Sequence, residues 1–168
     1  MFIGVISDTH KYFDENVKNF LKDVDLVLHA GDFGNIETAN KIADFKPLKG
    51  VYGNCDGTDI REYHPYIQVL DIEGIKILMM HIGGYPGRYD YRAMQLINAH
   101  RPDIFICGHS HILKVIYDNK FNCLTINPGA AGIEGFHVVR TAIRFHIDGG
   151  KIHDMEIGEW PKKVIKEE

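Results

Sequence analysis

Apolar runs of six or seven residues recur along the first two thirds of the 168-residue chain, separated by polar or amphipathic segments. The runs are rich in Val, Ile, Leu and Phe, a composition and length typical of buried β-strands. The six predicted strands cover residues 2–7, 26–31, 48–53, 66–72, 75–81 and 103–108. The pattern therefore predicts a protein built around β-sheets.

Three segments between these runs carry apolar residues at helical spacing. In residues 15–24 the apolar positions fall at i, i+3, i+4 and i+7, so they share one face of a helix. Residues 36–45 and 88–100 show similar faces, and each segment ends shortly before a proline. Because strands alternate with helices in the first half of the chain, we expect βαβ units and a largely parallel sheet.

The second half of the chain joins its apolar runs by short turns instead. Residues 66–81, 113–126 and 141–157 each have the pattern of two strands around a turn. These hairpins indicate that the sheet structure continues in antiparallel fashion. We expect one mixed α/β domain over residues 1–168, with two sheets packed face to face, helices outside and a polar C-terminal tail at 160–168.

Composition and charge restrict the kinds of partner that this chain is expected to bind. Hydrophobic residues make up 45% of the chain and charged residues 25%, as is ordinary for a globular protein. The net charge of −4 has the wrong sign for binding through a basic face, so nucleic acid is not an expected partner. No apolar run approaches the roughly 18 residues that a membrane span needs, so no membrane partner is expected.

The cysteines and the first residues of the chain indicate the cellular compartment in which the protein is expected. Cys55, Cys107 and Cys123 are odd in number and irregularly spaced, which does not indicate a disulfide framework. The first residues already have a strand pattern and show neither a basic leader segment nor a cleavage site. We therefore expect a cytoplasmic protein.

Five of the apolar runs are followed by side chains that can bind a metal. These side chains are Asp8 and His10, Asp32, Asn54, His81, and His109 with His111. The carboxyl ends of strands line the ligand crevice of an open α/β sheet, so we expect the seven to converge. Seven ligands would crowd one ion, but two ions that share a carboxylate could accommodate them.

The spacing and chemistry of these donors point to transition metals. Residues i and i+2 of an extended segment point to the same side, so Asp8 with His10, and His109 with His111, are expected to act as pairs. Carboxylate, amide and imidazole donors together are borderline in hardness. They suit manganese, iron, zinc or nickel better than calcium.

The ordered set of motifs resembles that of the calcineurin-like metallophosphoesterase superfamily, and in particular its small YfcE-type phosphodiesterase branch. The motifs are DTH (8–10), GD (31–32), GNCD (53–56), MHIGG (80–84) and GHSH (108–111). They span about two thirds of the chain, and NPG (127–129) is similar to a loop of the family's small members. Single motifs such as G-D carry little information, whereas the ordered set is highly specific.

The resemblance implies a fold, a cofactor and a reaction. The fold is a four-layer αββα sandwich of two mixed β-sheets flanked by helices, the metallo-dependent phosphatase-like fold. The cofactor is a pair of divalent metal ions, with manganese expected first and iron, zinc or nickel as alternatives. The reaction is hydrolysis of small-molecule phosphate esters, diesters more than monoesters, by attack of a metal-bridging hydroxide. A small homo-oligomer is compatible with the resemblance.

The resemblance also implies roles for individual residues. One metal site receives Asp8, His10, Asp32 and His111, and the other receives Asp32, Asn54, His81 and His109. The expected catalytic residues are Asp32, Asn54 and Asp56, with Asp56 orienting Asn54 or a neighbouring ligand.

Cys55 departs from the pattern of many superfamily members, which carry a histidine there that contacts the phosphate. Protonation of the leaving group is therefore expected to be weak, and activated aryl esters should be cleaved better than alkyl esters. A nucleophilic role for Cys55 is not expected, because the sequence offers no activating partner.

The sequence also leaves other roles open for several residues and for the whole chain. His137 follows a Gly-rich loop and is a candidate for lying near the site, while the remaining histidines are expected to be structural or solvated. Arg88 and Arg140 are candidates either for binding phosphate or for ordinary surface roles. The alternative function is a catalytically silent scaffold of the same fold that binds partner proteins, and a metal-dependent nuclease is a third reading that the acidic charge disfavours.

Overall fold

The computed structural model describes residues 1–162, which form ten strands and four helices. The strands are β1 (Phe2–Ile6), β2 (Leu26–His29), β3 (Leu48–Gly50), β4 (Ile67–Ile72), β5 (Ile75–Met80), β6 (Ile104–Ile106), β7 (Leu113–Asp118), β8 (Cys123–Pro128), β9 (Val139–Asp148) and β10 (Lys151–Pro161). The helices are α1 (Glu15–Leu21), α2 (Ile36–Phe45), α3 (Thr58–Arg61) and α4 (Tyr91–His100).

The strands form two five-stranded mixed sheets. The first sheet has the order β10-β9-β1-β2-β3, in which β1, β2 and β3 are parallel, β9 is antiparallel to β1, and β10 is antiparallel to β9. The second sheet has the order β4-β5-β6-β8-β7, with β5, β6 and β8 parallel and an antiparallel strand at each edge. The predicted combination of parallel units and hairpins is confirmed.

Apolar side chains on both faces of each sheet produce four layers. Ile3 of β1 and Ile104 of β6 belong to the fully buried core between the two sheets. On the outer face of the first sheet, α1 and α2 contribute residues such as Val17 to a second core. On the outer face of the second sheet, α4 contributes Ala93 and Ile97 to a third. The fold is therefore the expected αββα sandwich.

The helix boundaries follow the capping side chains. The Asp14 side chain accepts a hydrogen bond from the Val17 N–H at the start of α1, and Asp90 does the same for α4. The cap at Asp90 explains why α4 begins at Tyr91 rather than at residue 88. The single turn of α3 was not predicted, because four residues are too few to show a helical period.

The predicted C-terminal tail at 160–168 is partly wrong. Strand β10 runs through Pro161, and the Trp160 ring packs edge-on against Phe20 with ring centroids 5.6 Å apart. This aromatic contact extends the strand beyond the boundary that polarity alone indicated. Residues 163–168 lie outside the described part of the chain. Within residues 1–162, no helix is long and apolar enough to cross a membrane.

Arg140, one of the candidates for binding phosphate, is instead a buried structural residue. Its guanidinium donates to both carboxylate oxygens of Asp14, at 3.0 and 2.7 Å, and its Nε donates to the Ala131 carbonyl at 2.8 Å. The side chain is only 1% exposed, so it cannot reach a substrate. This ion pair ties the start of α1 to β9.

We expect Asp14→Asn to reduce the free energy of unfolding by about 2–3 kcal/mol at pH 7, because it leaves the Arg140 charge buried and unpaired. Asparagine is itself a good helix cap, so the cap is retained. Urea denaturation of the wild type and the variant measures the difference. Glu15→Gln, at the exposed neighbouring residue, is the control and should change stability by less than about 0.5 kcal/mol.

The stability difference between Asp14→Asn and the wild type should depend on pH. Burial raises the pKa of Asp14, but hydrogen bonds from Arg140 and from the Val17 N–H outweigh it and lower the pKa below its usual value. The carboxylate therefore stabilises the fold above its unfolded pKa, and this contribution is lost as the pH falls through the folded pKa. The difference in free energy of unfolding between the wild type and Asp14→Asn should become smaller below about pH 4. A gap that is constant with pH would contradict the assigned ion pair.

Candidate metal centre

The seven side chains predicted as metal ligands come together where parallel strands of both sheets end. Five of them line a pocket of 410 Å³: His10, Asp32, Asn54, His109 and His111. The other two, Asp8 and His81, are buried directly behind Asp32. The predicted convergence of separate loops is therefore present in the structure.

Asp8 lies at the centre of one group of donors. Its Oδ1 atom is 3.2 Å from Nε2 of His111, 3.7 Å from Nε2 of His10 and 3.8 Å from Nε2 of His81. None of these approaches has the geometry of a hydrogen bond, so the atoms face a shared space rather than one another. Donor atoms of Asp8, His10 and His111 all lie within 4.8 Å of one another.

Asp32 connects this group to a second one. Its Oδ2 atom is 3.1 Å from Nε2 of His81 and 3.6 Å from Nε2 of His10, while its Oδ1 accepts a hydrogen bond from the Cys55 N–H at 2.9 Å. Asp32, His81 and His109 form a second set with donor atoms within 4.8 Å. The Oδ2 atom of Asp32 thus lies between His10 of the first set and His81 of the second.

Two buried atoms at this junction have no hydrogen-bond partner among the described residues, namely Oδ1 of Asp8 and Nε2 of His81. A buried polar atom without a partner is costly and requires an explanation. Both atoms carry lone pairs and face other lone-pair donors, so a cation would satisfy them together. Carboxylate and imidazole donors in this arrangement fit a divalent transition metal.

Hydrogen bonds fix the imidazoles in the form that a metal requires. Nδ1 of His81 lies 2.7 Å from the Ala30 carbonyl, which can only accept, so Nδ1 carries the proton and Nε2 keeps its lone pair. His137 Nε2 likewise donates to the Gly132 carbonyl at 2.8 Å. His137 Nδ1 then accepts from Nδ1 of His111 at 3.2 Å, which leaves Nε2 of His111 facing Asp8.

His137 is therefore a site residue that the sequence indicated only weakly, through the Gly-rich loop before it. It lines the pocket and contacts a predicted ligand 26 residues earlier in the chain. On the opposite wall, Nδ1 of His109 lies 3.0 Å from Oδ1 of Asn54, which joins the GHSH and GNCD loops.

The ligand pairs converge for a different reason than the one predicted. Five of the seven have positive φ angles: Asp8 (53°), His10 (43°), Asp32 (59°), His109 (70°) and His111 (62°). The expectation of extended i, i+2 pairs is therefore wrong, because left-handed backbone turns each side chain instead. Residues other than glycine rarely adopt this conformation, and such strain concentrates at functional sites.

Two motif glycines allow the loops to approach closely. A Cβ atom on Gly53 would collide with the carboxylate of Asp32, and one on Gly108 would collide with the Ser7 hydroxyl and lie 2.8 Å from Oδ2 of Asp8. That same Oδ2 atom accepts a hydrogen bond from Ser7 at 2.6 Å. The glycines in G-N and G-H are thus required by the packing around the two carboxylates.

Asp56 lies behind the predicted ligands, where its contacts are those of the orienting role expected from the resemblance. Its carboxylate accepts four backbone hydrogen bonds, from the N–H groups of Asp32, Phe33, Gly34 and Gly53, at 2.9, 3.2, 3.0 and 2.9 Å. Asp56 is 3% exposed and does not line the pocket. It holds the GD and GNCD loops together.

His29 performs a similar structural task below the DTH loop. Its Nδ1 accepts from the Gly31 N–H and its Nε2 donates to the Thr9 hydroxyl, both at 3.0 Å. The Thr9 hydroxyl in turn donates to the Phe33 carbonyl. Burial lowers the pKa of His29 to about 3, so the ring is neutral. This agrees with the structural role expected for His29.

The charges in the site favour cation binding. Burial alone raises the pKa of Asp8, but the imidazoles of His10 and His111 outweigh it and hold that pKa well below its usual range. Burial opposes ionisation of Asp32 as well, yet His81 lowers its pKa. In return, Asp8 raises the pKa of His10. Both carboxylates are therefore ionised near neutral pH and attract positive charge.

Cys55 lines the pocket beside Asp32. Partial burial and the negative charge of Asp32 raise the pKa of its thiol. The sulfur is therefore a protonated thiol at neutral pH, which agrees with the expectation that it is not a nucleophile.

A family model described as the calcineurin-like phosphoesterase superfamily domain matches residues 1–150. The chain belongs to this superfamily. As a calcineurin-like phosphoesterase, the protein is a metal-dependent hydrolase of phosphate esters, and the family uses divalent metals.

Two curated relatives are both described as probable metallophosphoesterases. The protein from Methanocaldococcus jannaschii is 32% identical over 136 residues, covering 77% of this chain and 68% of the relative. The protein from Methanothermobacter thermautotrophicus is 30% identical over 168 residues, covering 94% of this chain and 91% of the relative. The similarity thus extends over most of this calcineurin-like phosphoesterase.

Solved structures share the fold of this phosphoesterase at lower identity. An archaeal phosphodiesterase is 22% identical with a TM-score of 0.72, covering 94% of this chain and 99% of its own. Vps29 from Chaetomium thermophilum is 17% identical with a TM-score of 0.74, covering 97% and 100%. A zinc complex of Vps29 from Entamoeba histolytica is 19% identical with a TM-score of 0.73, covering 97% and 100%. These likenesses support the fold.

Proposed function

We propose that this protein is a phosphodiesterase that holds two divalent cations. The position of Asp32 Oδ2 between the two donor sets carries the proposal, because one carboxylate can then serve both ions. In this assignment the first ion is held by Asp8, His10, Asp32 and His111, and the second by Asp32, Asn54, His81 and His109. Manganese is the first expectation for the metal, with iron, zinc and nickel as alternatives.

Two cations bound there would supply positive charge for the phosphoryl oxygens and a water acidic enough to ionise near neutral pH. The chain's own residues prepare the site for this chemistry. Asp56 fixes the two loops that carry Asp32 and Asn54, and His137 orients the His111 ring. Outer partners of this kind commonly matter roughly 10- to 100-fold for metal affinity.

The walls of the pocket favour a diester over a monoester. Within the described part of the chain, no Lys or Arg lines the pocket, and Glu134 adds a negative charge at its rim. Apart from the proposed metal ions, a monoester dianion would meet no cationic side chain there, whereas a diester carries a single negative charge. Ile112 and Phe136 supply apolar surface for its organic substituents, and Phe136 is fully exposed. The substrate we propose is therefore a small phosphodiester.

Hydrolysis of bis(p-nitrophenyl) phosphate tests this proposal. We expect turnover with Mn²⁺, no turnover after treatment with EDTA, and recovery on adding Mn²⁺ again, with slower hydrolysis of p-nitrophenyl phosphate. Release of p-nitrophenolate measures the rate, and calorimetry counts the bound ions. Binding of two ions without hydrolysis would favour the scaffold alternative, while failure to bind any ion would contradict both the cofactor and the reaction.

A further inference from the structure

A second cavity, of 290 Å³, adjoins the candidate metal centre. The two cavities share His109, Ser110 and Ile112 as a common wall. A group bound in the second cavity would therefore lie directly beside a phosphoryl group bound at the first. Its volume is at the lower limit for small-molecule sites, which suits one substituent of a substrate.

The second cavity differs from the first in charge. Arg88 and Lys114 both line it, and within residues 1–162 neither has a carboxylate within salt-bridge distance. Its one acidic residue, Asp90, uses Oδ1 to accept the Arg92 and Ala93 N–H groups at the start of α4. The cavity is therefore lined by two cations without acidic partners and by one carboxylate that caps a helix. This excess of positive charge favours an anionic ligand.

A β-turn positions Tyr85 and Arg88 in the wall of the second cavity. The Arg88 N–H donates to the Tyr85 carbonyl at 2.8 Å, with Pro86 and Gly87 at the turn's centre and a φ of 84° at Gly87, as in a type II turn. The Lys114 ammonium lies 3.4 Å from the centroid of the Tyr85 ring. The Lys114 ammonium is therefore held against the Tyr85 ring, while the turn fixes the backbone from which the Arg88 side chain extends.

Hydrogen-bonding groups at the shared wall complete the cavity. The buried Asn127 side chain donates to the Gly108 carbonyl at 2.9 Å and to the Ser110 hydroxyl oxygen at 3.0 Å. The Ile112 N–H also donates to that oxygen. Because the Ser110 oxygen accepts two bonds, its own proton is available for a ligand that lies between the two cavities.

We infer that the second cavity is a subsite for an anionic group on one ester substituent of the substrate. The inference rests on the proposed phosphodiesterase function and defines its substrate class. The preferred diester carries a further phosphate or carboxylate a few bonds from the phosphorus, held by Arg88 and Lys114. The short apolar walls of Ile82 and Ile112 fit the carbon atoms between the two anionic groups.

Matched p-nitrophenyl alkyl phosphates test the subsite with Mn²⁺-loaded protein. The 3-carboxypropyl ester is compared with its neutral isostere, the 3-carbamoylpropyl ester, and a 3-phosphonopropyl ester distinguishes phosphate-like from carboxylate recognition. We expect kcat/KM to be about fivefold higher for the carboxylate than for the amide. Lys114→Gln and Arg88→Gln should each reduce that ratio to below about twofold, mainly by raising KM for the carboxylate ester.

Lys120→Gln is the matched control, since Lys120 also lies over an aromatic ring, that of Phe121, but outside the cavity. It should leave the ratio unchanged. Equal kcat/KM of the wild type for the charged and neutral esters would overturn the subsite proposal. An equal loss of kcat/KM on both esters in Lys114→Gln and Arg88→Gln would overturn it as well. Absence of wild-type turnover on the amide ester would instead count against the phosphodiesterase function. Calorimetric binding of the corresponding phosphate monoesters would then test the subsite independently.

Discussion

Asp32→Asn is expected to lower Mn²⁺-dependent hydrolysis of bis(p-nitrophenyl) phosphate by at least about a thousandfold, beyond the roughly 10- to 100-fold that losing an outer partner of a metal ligand costs. The Oδ2 atom of Asp32 lies between His10 and His81, where one oxygen serves both proposed ions. The asparagine amide would place a donor there, and a donor cannot bind a cation.

Asparagine is the appropriate replacement because it preserves the rest of the Asp32 environment. Oδ1 of Asp32 accepts the Cys55 N–H at 2.9 Å, and an amide oxygen can accept the same bond. The variant should therefore unfold at nearly the urea concentration of the wild type. Calorimetry should show fewer bound Mn²⁺ ions or much weaker binding.

The control is Asp44→Asn, which removes one negative charge from the exposed surface of α2. It should retain wild-type rates and metal stoichiometry. If Asp32→Asn bound two Mn²⁺ ions with wild-type affinity and kept activity within about tenfold, the shared-ligand assignment would be wrong.

The sequence was sufficient to predict that the proposed metal ligands lie close together, because of how parallel sheets are built. Side chains that follow successive parallel strands emerge at the same edge, so Asp8 after β1 and Asp32 after β2 had to lie close together. The same reasoning brought His81 and His109 together after β5 and β6. Hydrophobic periodicity similarly predicted the layers, since each sheet needed apolar cover on both faces.

Other features depend on contacts that no local pattern encodes. Left-handed backbone at Asp8 or His109 is imposed by neighbouring loops and carries no sequence signal when the residue is not glycine. Arg140 looked like a surface cation, yet its partner Asp14 lies 126 residues away in the chain. His137 likewise acquires its role only when its loop folds back against His111. Each of these three features could be identified only from the tertiary structure.

Asp56 gives the second large prediction, because its carboxylate is the shared acceptor of backbone N–H groups from two loops of the site. Asp56→Ala is expected to lower the free energy of unfolding by about 4 kcal/mol or more, since four backbone N–H groups lose their shared acceptor and an unsatisfied buried donor costs about 1–3 kcal/mol. Water would satisfy some of these donors, so the total stays below the sum of four such costs. Urea denaturation measures the loss, with Asp44→Ala as the control.

Asp56→Asn separates a positioning role from a catalytic one. One oxygen remains to accept backbone bonds, while the new amide N–H group meets the N–H donors of Asp32 or Gly34. We expect an intermediate loss of about 2–3 kcal/mol and weaker Mn²⁺ binding, with activity partly recovered at high Mn²⁺ concentration. A variant with wild-type stability and metal affinity but no activity would show that Asp56 acts on the substrate. Recovery by added metal would instead mean that the Asp56 carboxylate shapes the loops so that the proposed metal ligands meet.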